Sequence, residues 1–273
     1  MNKDLRSGFL NLYGELGFVP QDGNPRPLPR ICELRESCWK GAETRIPADT
    51  ASWTAIYQPW IGDGYSDLRL AIIGLNMNEY GGLHAMTGLV NSARSDIRAG
   101  CRRVRFGNDP KSYRGTLLFH RIGAYAALYA QAARLLHPDF CPDGFPGPSF
   151  VADAFDFIAL TNHVKCSPLG DRSAPTRAMI ENCGRHVLRR ELEILRPREI
   201  LVLGVENAWY LADRVLDEKV VVPTGRDLVS RGEGRLAGIP VRITAVPHPH
   251  ARGYSIRSVL TQVRAALGLP ALT

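Results

Sequence analysis

The chain's strongest constraint is an alternation. Short apolar runs that read as buried strands are separated by stretches with helical apolar spacing, and the order repeats. "LRLAIIGLNMN" (68–78) is a first strand, "GTLLFHRIGAYAALYAQAARLL" (115–136) a helix, and "AFDFIALTN" (154–162) a second strand. "TRAMIENCGRHVLRRELEILRP" (176–197) is a helix, with Pro175 at its first turn and Pro197 closing it. "EILVLG" (199–204) is a third strand that runs directly into the helix "VENAWYLADRVL". "GIPVRITAVPHPH" (238–250) holds the fourth strand, and "SIRSVLTQVRAAL" closes the chain as a helix. Strands joined by helical crossovers pair in parallel, and the helices cover both faces of the sheet. The expectation is an α/β fold: a three-layer α/β/α sandwich around a central, mostly parallel four-stranded sheet. It forms one domain over 1–273, with 1–64 as an N-terminal arm carrying two cysteines and 65–273 as the α/β core. Residues 19–30, "VPQDGNPRPLPR", read as irregular.

Bulk properties narrow the setting. The hydrophobic fraction of 45% is ordinary for a globular protein. The start, "MNKDLRSGFL", does not read as a signal peptide, and no run reaches the roughly 20 apolar residues that span a bilayer. A cytoplasmic protein with no membrane partner is expected. The net charge of +7, with Arg well in excess of Lys, suits a polyanionic partner without requiring one. Six cysteines occur: Cys32, Cys38, Cys101, Cys141, Cys166 and Cys183. Without an export signal disulfides are disfavoured, which leaves free core thiols or metal ligation.

In open parallel sheets, sites lie beyond the carboxyl ends of the strands. Those ends read Asn76, Asn162, Gly204 and His248. A lone Asn after a strand is ordinarily a turn former, and a lone His between prolines a loop residue. Three polar side chains on one edge of one sheet are a candidate site. The second end is the densest, since "LTNHVKCSP" (160–168) sets Asn162, His163, Lys165 and Cys166 together. A nucleotide-dependent α/β enzyme is disfavoured, because "GLNMNEYGG" has the wrong glycine spacing for a phosphate loop.

Three segments carry a resemblance to the uracil-DNA glycosylase superfamily. "GLNMNEYGG" (74–82) stands where members carry their water-positioning loop; Gly74, Leu75 and Asn76 follow the SMUG-type pattern, while Met77 and Asn78 depart from it. "TNHVKCSPLGDRSAPTRAMIENC" (161–183) is similar to the iron–sulfur (family 4) members, with Asn162, Lys165, Cys166, Arg172 and Cys183 in register. "HPHARG" (248–253) resembles the superfamily's His-Pro motif. The resemblance covers roughly 65–270 and implies a uracil-DNA glycosylase-like fold and a monofunctional glycosylase that starts base excision repair on uracil-containing DNA.

The resemblance also implies roles. Asn162 would read the flipped base, His248 would donate to uracil O2, and Asn76 would position the attacking water, with Glu79 as the rival for that task. Gly74 and Leu75 would line the substrate pocket. Tyr80 is a candidate for stacking on the base, beside Phe106 and beside plain loop packing. Arg252 would contact DNA in the groove, Lys165 would meet phosphate or cap the structure, and Arg102, Arg103 and Arg105 would add phosphate contacts. No Lys in the three loops stands where Schiff-base chemistry needs one, so lyase activity is not expected. A monomer suffices for one flipped base. A non-catalytic module that binds uracil or abasic sites is the alternative.

Cys166 and Cys183 have nearly the family 4 spacing, and Cys32 with Cys38 would complete a set of four for a [4Fe–4S] cluster, with zinc or free thiols as alternatives. The first pair departs from the family, reading Cys-x5-Cys where family 4 has Cys-x2-Cys. No nucleotide cofactor is expected.

Overall fold

A computed structural model of the chain describes residues 3–16, 34, 37–38, 59–75, 155–165, 175–218, 230–247 and 265. Its centre is one sheet of β1 (Trp60–Ile61), β2 (Leu70–Gly74), β3 (Ile158–Asn162), β4 (Glu199–Leu203), β5 (Ser230–Leu236) and β6 (Ile239–Val246), in the order β1-β3-β2-β4-β6-β5. The four expected strands are the parallel centre, β3-β2-β4-β6, with Ile73 level with Thr161 on one side and Val202 on the other.

Among the described residues the sheet has six strands rather than the expected four. Both additions are antiparallel edges. β1 is two residues long, too short to leave a pattern. β5, "SRGEGRL", is buried only at Ser230 and Leu236, because an edge strand needs no apolar face to pair. It joins β6 through Ala237 (φ 48) and Gly238 (φ 74), a tight turn whose two positive φ angles match the twist of the hairpin.

One sheet face carries Ala71, Ile73, Ala159, Ile200, Val202, Val241, Ile243 and Ala245. Packed on it are α1 (Lys3–Glu15), α2 (Tyr65–Leu68), a π-helical turn Gly184–Leu188, α4 (Arg189–Leu195) and α5 (Val205–Arg214), while α3 (Arg177–Cys183), which leads into the π-helical turn, packs in a separate apolar cluster with Val164. The opposite face is buried too, through Leu70, Ile72, Ile158, Leu160, Leu201 and Leu203. The helix expected over 115–136 lies outside the described residues.

The long helical run starts and stops as its sequence predicts. Thr176 caps it, its hydroxyl accepting from the Met179 N–H at 3.1 Å, and Arg196 ends it in the left-handed conformation before Pro197. The N-terminal segment differs from the expected arm. Phe9, Leu12 and Tyr13 of α1 are part of the main core, and the spacing of Leu5, Phe9, Leu12, Tyr13 and Leu16 is that of one helix face. Residues 1–64 therefore supply a core helix and an edge strand.

Candidate functional site

The carboxyl ends of β2 and β3 lie side by side, with Gly74 level with Asn162. The pairing continues past both strands: the His163 N–H donates to the Gly74 carbonyl and the Val164 N–H to the Leu75 carbonyl, each at 2.8 Å. On the other flank, Gly204 turns the chain from β4 into α5 with φ 99, and its N–H donates to the Val246 carbonyl at 2.7 Å. β2 neighbours both β3 and β4, so the chain leaves it first to one side and then to the other. The connections that leave β2 and β4 therefore run in opposite directions, and the carboxyl ends of the strands at such a reversal are the usual ligand position in open parallel sheets.

Asn162 closes β3 beside Gly74 and is buried, 6% exposed. A Cβ on Gly74 would stand less than 3.0 Å from its Oδ1, so glycine leaves the room that the amide occupies. The amide nitrogen, Nδ2, is buried with no hydrogen-bond partner among the described residues. An unsatisfied buried donor costs about 1–3 kcal/mol, and this one is available to an acceptor.

His163 and Lys165 are fully turned inward. His163 is 0% exposed; its Nε2 lies 3.0 Å from the Ile180 carbonyl, and its ring meets Tyr210 edge-on. Burial pulls its pKa from 6.5 down to about 4, against the opposing pull of the Ile180 carbonyl, with the charge of Lys165 lowering it further. For Lys165 the sequence leaves two readings open, a phosphate contact or a cap of the structure. Its side chain is buried, forming an ion pair with Glu191 and donating to Thr161 Oγ1 at 2.5 Å, an arrangement that matches the second.

Two of the four expected metal ligands are described, and the fold brings them together. Cys38 and Cys183 share one buried cluster with Val164, Met179 and Ile180. The turn at Leu34–Cys38 docks on α3: Thr176 donates to the Cys38 carbonyl at 2.6 Å, and Asn182 Nδ2 to Cys38 Sγ at 3.2 Å. Burial pushes the Cys38 thiol up, the Asn182 hydrogen bond opposes this, and the neighbouring Cys183 adds to the rise.

Asn76, Glu79, Tyr80, His248, Arg252, Cys32 and Cys166 lie outside the described residues, as do Phe106, Arg172 and the Arg102–Arg105 stretch. Sequence reading missed Thr161 and Glu191, which hold Lys165, and Tyr13, which donates to Glu191. The available signal was Glu191: in a helix whose core stripe runs Val187, Leu188, Leu192, Leu195, it occupies a position on the buried face. No described helix is long and apolar enough to cross a membrane.

A family model described as "Uracil DNA glycosylase superfamily" matches residues 118–264, more than half of the chain. The match takes in Asn162, Lys165, Cys166, Cys183, His248 and Arg252, and leaves Gly74–Tyr80 and the first cysteine pair outside it. No curated protein matches the chain.

Proposed function

The chain belongs to the uracil DNA glycosylase superfamily, and from that premise we propose that it is a monofunctional glycosylase that flips uracil out of DNA and hydrolyses its N-glycosidic bond. Membership suggests DNA glycosylase activity. The observation that carries the finer reading is the Asn162 amide: buried at the end of β3, seated against Gly74, with its nitrogen unpartnered. An amide offers a donor to uracil O4 and an acceptor to N3–H together. Cytosine presents the reverse pattern and would leave both groups unpaired, at about 1–3 kcal/mol each.

The remaining roles fall to residues that follow the strands in sequence. His248, directly after Pro247 at the end of β6, donates to uracil O2 as charge develops there. Asn76, two residues beyond Gly74, orients the water, and Glu79 is the carboxylate that competes for the task. Leu75 lines the pocket, Tyr80 stacks on the base and Arg252 contacts the DNA groove. Lys165 is ion-paired and buried, which supports a hydrolytic rather than a Schiff-base reaction.

The proposed cofactor is a [4Fe–4S] cluster held by Cys32, Cys38, Cys166 and Cys183, closest to the iron–sulfur branch of the superfamily. The shared burial of Cys38 and Cys183 fits it. When bound, such a cluster supplies a structural cross-link through four thiolates. The chain's own part is to bring Cys38 against α3, in the apolar side-chain group that includes Val164, two residues past Asn162.

The test is release of uracil from single- and double-stranded oligonucleotides, read as alkali-labile cleavage. Asn162→Ala and His248→Ala are each expected to lose about 10²-fold or more while still binding DNA. A wild-type protein that binds the oligonucleotide and leaves the base in place is a lesion-binding module.

A further inference from the structure

Buried ion pairs are weak evidence of stability, because well-packed apolar side chains of similar volume commonly do as well. What such a pair does is hold one arrangement, and Lys165–Glu191 stands where an arrangement matters. The Lys165 ammonium folds back to Glu191 Oε2 and to Thr161 Oγ1. Thr161 donates to the same carboxylate oxygen at 2.8 Å, and the Tyr13 hydroxyl donates to the other, Oε1, at 2.5 Å. Glu191 therefore accepts from α1, from β3 and from the turn that follows β3. All four side chains are buried: Glu191 at 0%, Lys165 at 1%, Tyr13 at 2% and Thr161 at 3% exposed.

The link from Lys165 back to Thr161 encloses three residues: Asn162, His163 and Val164. Their backbone is held on the other side by the hydrogen bonds to the Gly74 and Leu75 carbonyls. Thr161 turns to the α4 side, where Glu191 is, so the next residue of the strand, Asn162, faces the opposite way. Fixing Thr161 and Lys165 on one face fixes the direction of the Asn162 amide on the other.

We propose that Lys165 and Glu191, completed by Thr161 and Tyr13, are positioning residues for Asn162, and that they govern the bond-breaking step rather than DNA affinity. This rests on the reading that Asn162 contacts the base. DNA affinity is dominated by phosphate contacts, which this buried group does not make.

Single substitutions that strand one buried charge threaten the fold itself. The informative variant is therefore Lys165→Met/Glu191→Leu, which removes both charges and keeps the volume. Tyr13→Phe removes only the far hydroxyl. Three quantities are read on the full-length protein: single-turnover release of uracil, Kd for the same oligonucleotide, and hydrogen exchange of the His163 and Val164 amides. The double variant is expected to bind within about threefold of wild type. Its uracil release should slow by about tenfold or more, and the two amides should exchange about tenfold faster or more. Tyr13→Phe should shift release and exchange the same way by a smaller factor, and carries the test if the double variant does not fold. A folded variant with wild-type release and wild-type exchange overturns the proposal. If the wild-type protein releases no base, the glycosylase reading fails separately, and exchange alone decides: unchanged protection of the two amides overturns the positioning role, and faster exchange sustains it.

Discussion

Gly74 and Asn162 are fitted to each other across the ends of two parallel strands: any side chain on Gly74 would meet the Asn162 amide oxygen at less than 3.0 Å. The obstructing atom is the far end of a side chain, which can swing away. Gly74→Ala should therefore cost little stability, about 1 kcal/mol or less, while displacing the amide. Uracil release is expected to fall about tenfold or more with the unfolding midpoint nearly unchanged. A variant with wild-type turnover would show that the amide's position does not matter to the reaction.

Gly184 makes the contrasting case. A Cβ there would lie 2.7 Å from His163 Nε2 and 3.2 Å from Arg214 Cβ. The imidazole is wholly buried, with Nε2 against the Ile180 carbonyl, so it has nowhere to go. Gly184→Ala should destabilise by about 1–3 kcal/mol, read from urea unfolding, even though alanine is ordinarily the better helix residue. The π-helical turn that begins at Gly184 is where the helix accommodates His163.

How much of this was legible in the sequence follows from which forces wrote it. β2, β3 and β4 are buried on both faces along their length and β6 over its last four residues, so each shows as a largely apolar run. β5 was invisible because its pairing is made by backbone, with Arg231, Glu233 and Arg235 facing water. Asn162 was legible as a polar residue at the end of a buried strand. The inward course of Lys165 was not, because a lysine's destination is set by a partner far along the chain, here Glu191. α1 carried a readable stripe, Leu5, Phe9, Leu12, Tyr13 and Leu16, hidden by a short polar start and the Pro-rich stretch behind it.

The shared burial of Cys38 and Cys183 makes a prediction about metal. Anaerobically purified protein should carry iron and inorganic sulfide with the broad visible absorption of a cluster, and Cys38→Ala and Cys183→Ala should each lose most of it. Zinc in place of iron would assign the same thiolates to a zinc site. Metal-free protein with full uracil release would make the two cysteines core thiols, consistent with their apolar surroundings of Val164, Met179 and Ile180.

His163 gives the fold a pH dependence whose sign can be worked out. Burial lowers its pKa to about 4 from the ordinary 6.5, so the native state holds the imidazole neutral while the unfolded chain takes up a proton below 6.5. Between those values the unfolded state binds more protons, so stability falls as pH falls. The contribution is complete above about pH 6.5, declines toward pH 4, and amounts to about 3 kcal/mol over the whole window. Glu181 and Asp217 do not blur the upper part of it. The hydrogen bond from Arg177 holds the first carboxyl below its usual range, and the Gly238 N–H holds the second, so both lose their contributions only at lower pH. Urea unfolding at pH 7.5 and pH 5.0 should therefore show wild type losing roughly 2 kcal/mol more than His163→Gln, which has no group to titrate at that position. Equal losses in the two proteins would mean that the imidazole stays accessible to protons in the folded state, and that its burial between β3 and the helical run is not what holds it neutral.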